Sequence, residues 1–151
     1  MAACIIRTAV AADLDALGDV FRRSSLSNDG DRPALLANPE VLEFAGDGVV
    51  EGRTRVATVD ARIVGFSTIV AVGTVVDVED LFVDPEWMRQ GIGLDLMRDV
   101  VAQARQRNAD YVEVTANPHA LAFYARAGFV RCGSSDTRFG PADRLRIDLR
   151  Q

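Results

Sequence analysis

The sequence predicts a mixed α/β fold of the α+β kind, a mixed sheet with helices packed on both faces. Three observations predict it. The element order reads β, α, α, three β, α, β, α, two β, and such an order packs naturally as helices against one sheet. A run of apolar segments between residues 53 and 83, broken by tight turns, reads as an antiparallel meander. Residues 91–108 form one long amphipathic segment between two apolar strands. No internal repeat and no linker divides the 151 residues, a length that suits one domain with a real core. The expectation is therefore a single domain over 1–151.

Residues 3–8 read as a short strand. A helix follows over about 12–25, with Leu14, Leu17, Val20 and Phe21 at helical spacing. The polar stretch 24–32 reads as a loop. Pro33 and Pro39 each start a short helix, the second reaching about Ala45. Residues 46–52 are a turn region. Strands 53–60 and 63–72 are joined by a tight Ala61-Arg62 connection, and 74–83 is the third strand of the meander. In helix 91–108, Leu94, Met97, Val100, Val101 and Ala104 lie on one face. Residues 111–115 are a strand. Asn117 to Ala127 is a helix with Asn at its N-cap, Pro in its first turn and Gly128 after its end. Residues 129–132 are a strand, 133–143 a loop rich in Gly, Ser, Asp and Pro, and 144–149 a final strand.

Composition narrows the partners. Hydrophobic residues at 48% and charged residues at 26% fit a globular chain, and no apolar run approaches the ~20 residues of a membrane span. The N-terminus lacks a basic region followed by a long apolar core, so no signal peptide is expected and the location is read as cytoplasmic. A net charge of −5 argues against nucleic acid and for a cationic or neutral small-molecule partner. All 17 basic residues are Arg, which excludes Schiff-base chemistry and a P-loop lysine. Cys4 and Cys132 are read as reduced, partly buried thiols. With only His119 beside them, no metal site is expected.

The chemistry-bearing stretch is Val78-Glu-Asp-Leu-Phe-Val-Asp-Pro-Glu-Trp-Met-Arg-Gln-Gly-Ile-Gly-Leu94. A strand carrying acids runs through a Pro turn into a glycine pair that opens a helix. Glycines let backbone approach a ligand closely, and the first turn of a helix offers N–H groups to an anion. Each such interaction contributes only about 0.3–1 kcal/mol when exposed, so several must act together. The pattern lacks the third glycine of a dinucleotide fingerprint, since Leu96 stands there. Asp77, nearer the strand start, is read as a solvated or Arg-paired acid. Glu79 is read as functional because it lies close to the glycine turn.

The second constellation is Asn117-Pro-His-Ala120-Leu-Ala-Phe123-Tyr124-Ala-Arg-Ala-Gly128-Phe129. Ala120, Phe123, Tyr124 and Ala127 share a helical face. Phe123 is read as core, Asn117 as cap and ligand contact together, Tyr124 as an aromatic with its hydroxyl at the rim, and His119 as a surface histidine.

Together the two constellations resemble the GNAT superfamily of acyl-CoA-dependent N-acyltransferases, over nearly the whole length in element order. The family's cofactor loop begins with Gln or Arg, and this chain has Met88 there; the Asn-x-x-Ala-x-x-Phe-Tyr-x-x-x-Gly-Phe pattern matches without departure. The resemblance implies a mostly antiparallel sheet with a splayed parallel pair, strands 75–83 and 111–115, holding pantetheine between them. It implies acetyl-CoA as acyl-donor cosubstrate. Its contacts would come from Leu81, Phe82, Val83, Met88, Arg89, Gln90, Gly91, Ile92, Gly93, Leu94, Asn117, Ala120, Phe123 and Tyr124. It implies direct attack by an amine, with Glu79 as base (Asp80 or a water relay being alternatives) and Tyr124 as acid. The acceptor is a small-molecule or peptide amine, shaped by residues 21–44 and 133–143. Homodimers are common in the family. Two other readings stay open at this level: a non-catalytic acyl-CoA-binding or sensor module, and a nucleotide-binding α/β domain.

Overall fold

Strands β1 (Ile5–Thr8), β2 (Thr54–Val59), β3 (Arg62–Val72), β4 (Val75–Val83), β5 (Tyr111–Ala116), β6 (Val130–Thr137) and β7 (Gly140–Asp148) line up in the order β1-β2-β3-β4-β5-β7-β6. The computed structural model describes residues 3–150. Helices are α1 (Leu14–Leu26), α2 (Arg32–Ala37), α3 (Asp47–Val50), α4 (Ile92–Gln106) and α5 (Leu121–Arg126). β4 and β5 are parallel, whereas β1–β2, β2–β3, β5–β7 and β6–β7 are antiparallel. This is the mixed, mostly antiparallel sheet that was expected. The parallel ladder runs from Val75–Tyr111 to Val78–Val114 and stops there, although β4 continues to Val83 and β5 to Ala116.

The chain divides into two compact units, Met1–Thr68 with Asp80–Leu96 and Ile69–Glu79 with Met97–Gln151. In the first, Leu17 and Val20 of α1 are buried with Ala9, Val49, Val56 and Phe66, and Leu14, Phe21, Phe44 and Phe82 pack onto that cluster. A second cluster joins Ala57, Val59, Val64, Ile92 and Leu96, with Leu81, Val83 and Trp87 against it. Each fully buried Val or Leu contributes about 1.5–3 kcal/mol, so these clusters dominate the stability of the unit. The β2–β3 turn is Asp60-Ala61, both at positive φ (50° and 66°), the two-residue turn whose twist suits a hairpin. It lies one residue earlier than the sequence suggests. Gly65 of β3 is needed for close approach, since a Cβ there would stand 2.9 Å from the Phe82 carbonyl oxygen.

Before α1, Asp13 accepts from Arg7 at 2.8 and 3.0 Å and from the Val10 N–H at 2.8 Å. The Arg7 hydrogen bond is the main cause of an Asp13 carboxyl held below its ordinary value of 3.8. A depressed carboxyl adds stability that is complete above the unfolded pKa and vanishes as pH falls through the folded one. Arg7→Ala is therefore expected to lower stability at pH 7 by up to about 1 kcal/mol, Arg7 being half-exposed. The gap between the two proteins should narrow at an acid pH below 3.8. Thermal melts at both pH values check this; an equal gap at both would contradict it.

In the second unit, Val112, Val114 and Ala116 of β5 are buried and alternate with Tyr111, Glu113 and Thr115. The latter face carries an ionic row: Arg144 lies 3.0 Å from Asp77 and 2.8 Å from Glu113, and Arg146 lies 2.7 Å from Glu113. The guanidiniums of Arg146 and Arg150 stand 4.1 and 4.4 Å from the Tyr111 ring centre. Asp77 is thus an Arg-paired structural acid. In α4, which runs from one unit into the other, the buried residues are Ile92, Leu96, Met97, Val100 and Ala104, while Leu94 and Val101 are only half-buried. Met97, Val100 and Ala104 of the expected face are thus buried, and Ile92 and Leu96 join them in place of Leu94 and Val101.

Other readings differ as well, among them the helix expected from Pro39 to about Ala45, which is a 3-10 turn over Pro39–Leu42. Residues 133–143 are not a loop: β6 and β7 form one hairpin, paired from Val130–Arg146 to Thr137–Gly140. β6 lies at the sheet edge and is mostly exposed, so its sequence shows no apolar alternation. Residues 47–50 form a helical turn where a plain turn was expected, entered through Gly46 at φ 78°. Cys132 is exposed on that edge strand, in contrast to the half-buried Cys4; both are free thiols. Among the described residues no helix is long and apolar enough to cross a membrane, and no group of His, Cys, Asp and Glu could hold a metal ion.

Candidate active site

In the first unit, β4 ends at Val83, and Asp84 caps a 3-10 turn, Pro85–Trp87, by accepting from the Glu86 N–H at 3.0 Å. Met88, Arg89, Gln90 and Gly91 follow, all exposed, and Ile92 then anchors α4 at 4% exposure. Gly91 has φ 86° and Arg89 φ 64°. A left-handed conformation at a non-glycine residue is uncommon and is found at turns and ligand clamps. The first intrahelical bond of α4 is the Asp95 N–H to the Gly91 carbonyl at 3.0 Å. The N–H groups of Gly91, Ile92, Gly93 and Leu94 therefore have no partner inside the helix. Exposed backbone, two left-handed residues and a helix N-terminus suit a diphosphate. A Cβ at Gly91 would meet nothing within 4 Å, so within the protein the glycine is required by its φ.

Leu81, Phe82 and Val83 are half-buried. The Phe82 ring packs edge-on to Phe21 (4.9 Å between centroids) and lies 5.6 Å from Phe66, while Phe44 lies 5.8 Å from Phe21. This fixes the strand whose backbone is expected to meet the cofactor.

In the second unit, Glu79 is exposed and stands one residue past the last parallel pair, Val78–Val114. Asn117 sits at the N-cap of a 3-10 turn, Pro118–Ala120, with extended backbone but without a side-chain capping bond. The expected cap is positional only. Ala120 and Phe123 are half-buried, Asn117 and His119 exposed. Tyr124 of α5 is buried at 7% exposure, with Phe123 and Phe129 edge-on at 5.1 and 5.4 Å. Burial pushes its phenol up to about 12, so it is protonated throughout the neutral range.

The structure adds a residue that the sequence reading passed over. Asp84 is fully buried, accepts from Arg23 of α1, and lies 3.9 Å from the Arg62 guanidinium. The signal was present: Asp directly before Pro at a strand end is a capping signature.

A sheet with one parallel pair, a glycine turn opening a long helix and a buried tyrosine on the next helix together define a coenzyme-A-type acyltransferase fold. The model of the acetyltransferase (GNAT) domain family matches residues 49–140, more than half of the chain, and the chain belongs to this family. Members of it transfer an acetyl group from acetyl-CoA to amines, and the chain is an enzyme of this class. It is similar to the PaiA N-acetyltransferase of Thermoplasma acidophilum, solved in complex with coenzyme A (17% identity, 97% of this chain and 99% of that one, TM-score 0.78). It is also similar to a GCN5-related N-acetyltransferase of Rhodopseudomonas palustris (21% identity, 99% and 98% coverage, TM-score 0.78). A third is the ribosomal-protein-alanine N-acetyltransferase of Brucella melitensis (19% identity, 96% and 99% coverage, TM-score 0.70). These likenesses establish the fold. No curated protein matches the chain in sequence.

Proposed function

We propose that this acetyltransferase moves the acetyl group of acetyl-CoA to a primary amine by direct attack in a ternary complex, with Glu79 and Tyr124 as its catalytic groups. The observation that carries the reading is the left-handed, exposed turn Arg89–Gly91 at the N-terminus of α4. Backbone N–H groups of 90–94 hold the diphosphate, and the β4 backbone at Leu81–Val83 holds the pantetheine amides. Met88 contributes no hydrogen bond of the kind a Gln or Arg would supply there, and Arg89 takes part of that role. Asn117, Ala120 and Phe123 support Tyr124 and complete the cofactor contacts.

The attacking amine must be neutral, so its proton passes to Glu79 directly or through water. The amine nitrogen bonds to the thioester carbon, the adduct loses the second nitrogen proton to water, and the carbon–sulfur bond breaks to release a thiolate that takes its proton from solvent. A strand N–H near Val83 supports the developing oxyanion. In this reading the Tyr124 phenol serves the departing thiolate. With a phenol near 12 and a free thiol near 8.5, full proton transfer is uphill by roughly 5 kcal/mol. Tyr124 therefore acts chiefly as a hydrogen-bond donor while charge builds on sulfur; any proton it does give is regained from solvent.

Replacing Glu79 with Gln should flatten the alkaline rise of kcat/KM and lower the plateau by about 10²-fold. A variant profile parallel to that of the wild type would remove Glu79 from the base role.

The net charge of −5 favours a cationic small molecule or a peptide amine over an anionic acceptor. Two neighbours in fold are named as ribosomal-protein-alanine N-acetyltransferases, which supports the peptide reading. Residues 21–44 and 133–143 are the acceptor-side segments in this reading, and the enzyme works in the cytoplasm, alone or as a homodimer. We read 1–151 as one domain, because β3, β4 and α4 each run from one compact unit to the other. One calorimetric transition, with equal calorimetric and van't Hoff enthalpies, is expected; two transitions would split it.

A further inference from the structure

Asp84 is a fully buried carboxylate that no catalytic step uses. Its Oδ2 accepts from Arg23 and lies 3.9 Å from Arg62, and its Oδ1 accepts the Glu86 N–H at 3.0 Å. Its own N–H donates to the Val64 carbonyl at 2.8 Å, and its carbonyl accepts the Trp87 N–H at 2.8 Å. Arg62 also pairs with Glu86 at 3.3 Å. One carboxylate thus joins three elements: the last turn of α1, the strand β3, and the 3-10 turn that leads into the cofactor segment.

The residues after that turn have little packing of their own. Met88 to Gly91 are all exposed, and two of them are left-handed. Their geometry is inherited from the Pro85–Trp87 turn on one side and from buried Ile92 on the other. A carboxylate buried in this way stays inward only while its charge is paired. Without Arg23 only the longer Arg62 contact at 3.9 Å would hold it, and the carboxylate would turn outward more readily, release the Glu86 N–H and loosen the turn.

We propose that Arg23 and Asp84 are positioning residues for the diphosphate cradle: α1, whose end leads into the acceptor-side segment, holds the turn from which the cradle is built. This rests on the reading of residues 88–94 as the coenzyme A site. It assigns no contact between Arg23 and the cofactor.

The test is coenzyme A binding by titration calorimetry on the full chain and on Arg23→Met, Arg23→Lys and Asp84→Asn, at a temperature where each is folded. Arg23→Met should raise Kd about tenfold, and Arg23→Lys, which restores a cation beside the carboxylate, should recover most of that. Asp84→Asn removes a negative charge. Simple electrostatics predicts tighter binding of the anionic cofactor, whereas positioning predicts weaker binding. If Asp84→Asn does not fold, Arg23→Met decides alone, since Arg23 is half-exposed. Unchanged Kd in Arg23→Met, with only a lower melting temperature, would overturn the proposal and leave the cofactor site standing. A wild-type chain that does not bind coenzyme A would overturn both.

Discussion

Tyr124→Phe should lower kcat by about 10²–10³-fold while the Kd for acetyl-CoA stays within about twofold. The ring keeps its edge-on contacts with Phe123 and Phe129, at 5.1 and 5.4 Å, so packing survives the change. Only the hydroxyl is lost. The phenol sits near 12 because burial disfavours its charged form, and it is therefore a donor over the whole working range. Interactions formed only as sulfur becomes negative lower the barrier without tightening the ground state. Initial rates at saturating acetyl-CoA, beside calorimetric binding, separate the two effects. Unaltered turnover would remove Tyr124 from the chemistry. Parallel losses of turnover and binding would make it a packing residue.

Gly91→Val should weaken acetyl-CoA binding by about 10–100-fold, with only a modest loss of stability. Gly91 sits at φ 86°, where a β-branched residue is a genuine outlier, yet its Cβ would clash with nothing in the protein. The left-handed backbone costs roughly 1–2 kcal/mol for an L residue. The protein can relieve that strain by rotating the peptide planes on either side, which turns the N–H groups of the α4 N-terminus away from a bound diphosphate. Gly91→Ala should fall between wild type and Gly91→Val. Binding of coenzyme A within about twofold of wild type in the valine variant would show that the turn does not carry the cofactor.

Much of the fold was legible in the residues because local signals agreed with tertiary ones. Strand β5 alternates, α4 is amphipathic, and Gly128 ends the helical segment at φ 99° as a stop signal should. The β6–β7 hairpin was not legible. Its strands carry Gly133, Ser134, Ser135, Asp136 and Pro141, and an edge strand exposed on most of its length has no apolar period to display. The bridge made by Asp84 was half legible. Its capping role follows from the Asp-Pro pair, but its partner Arg23 lies 61 residues away in sequence, and no local pattern announces a contact at that distance. The site residues were named from two motifs, and the structure gives each a setting: an exposed left-handed turn for 89–91, and a buried aromatic nest for Tyr124. Asn117 shows the reverse, a residue whose type promises a capping bond that its side chain does not make.

Acetyl transfer to an amine is tested most directly by thiol release from acetyl-CoA across a panel of polyamines, aminoglycosides and peptides with free N-termini. The account predicts amine-dependent release that rises with acceptor concentration, is strongest among cationic or peptide amines, and falls in the Tyr124→Phe enzyme. Saturable acetyl-CoA binding with no release above background for any amine, and with no response to the Glu79 and Tyr124 changes, would contradict it and leave an acyl-CoA-binding module on the same fold.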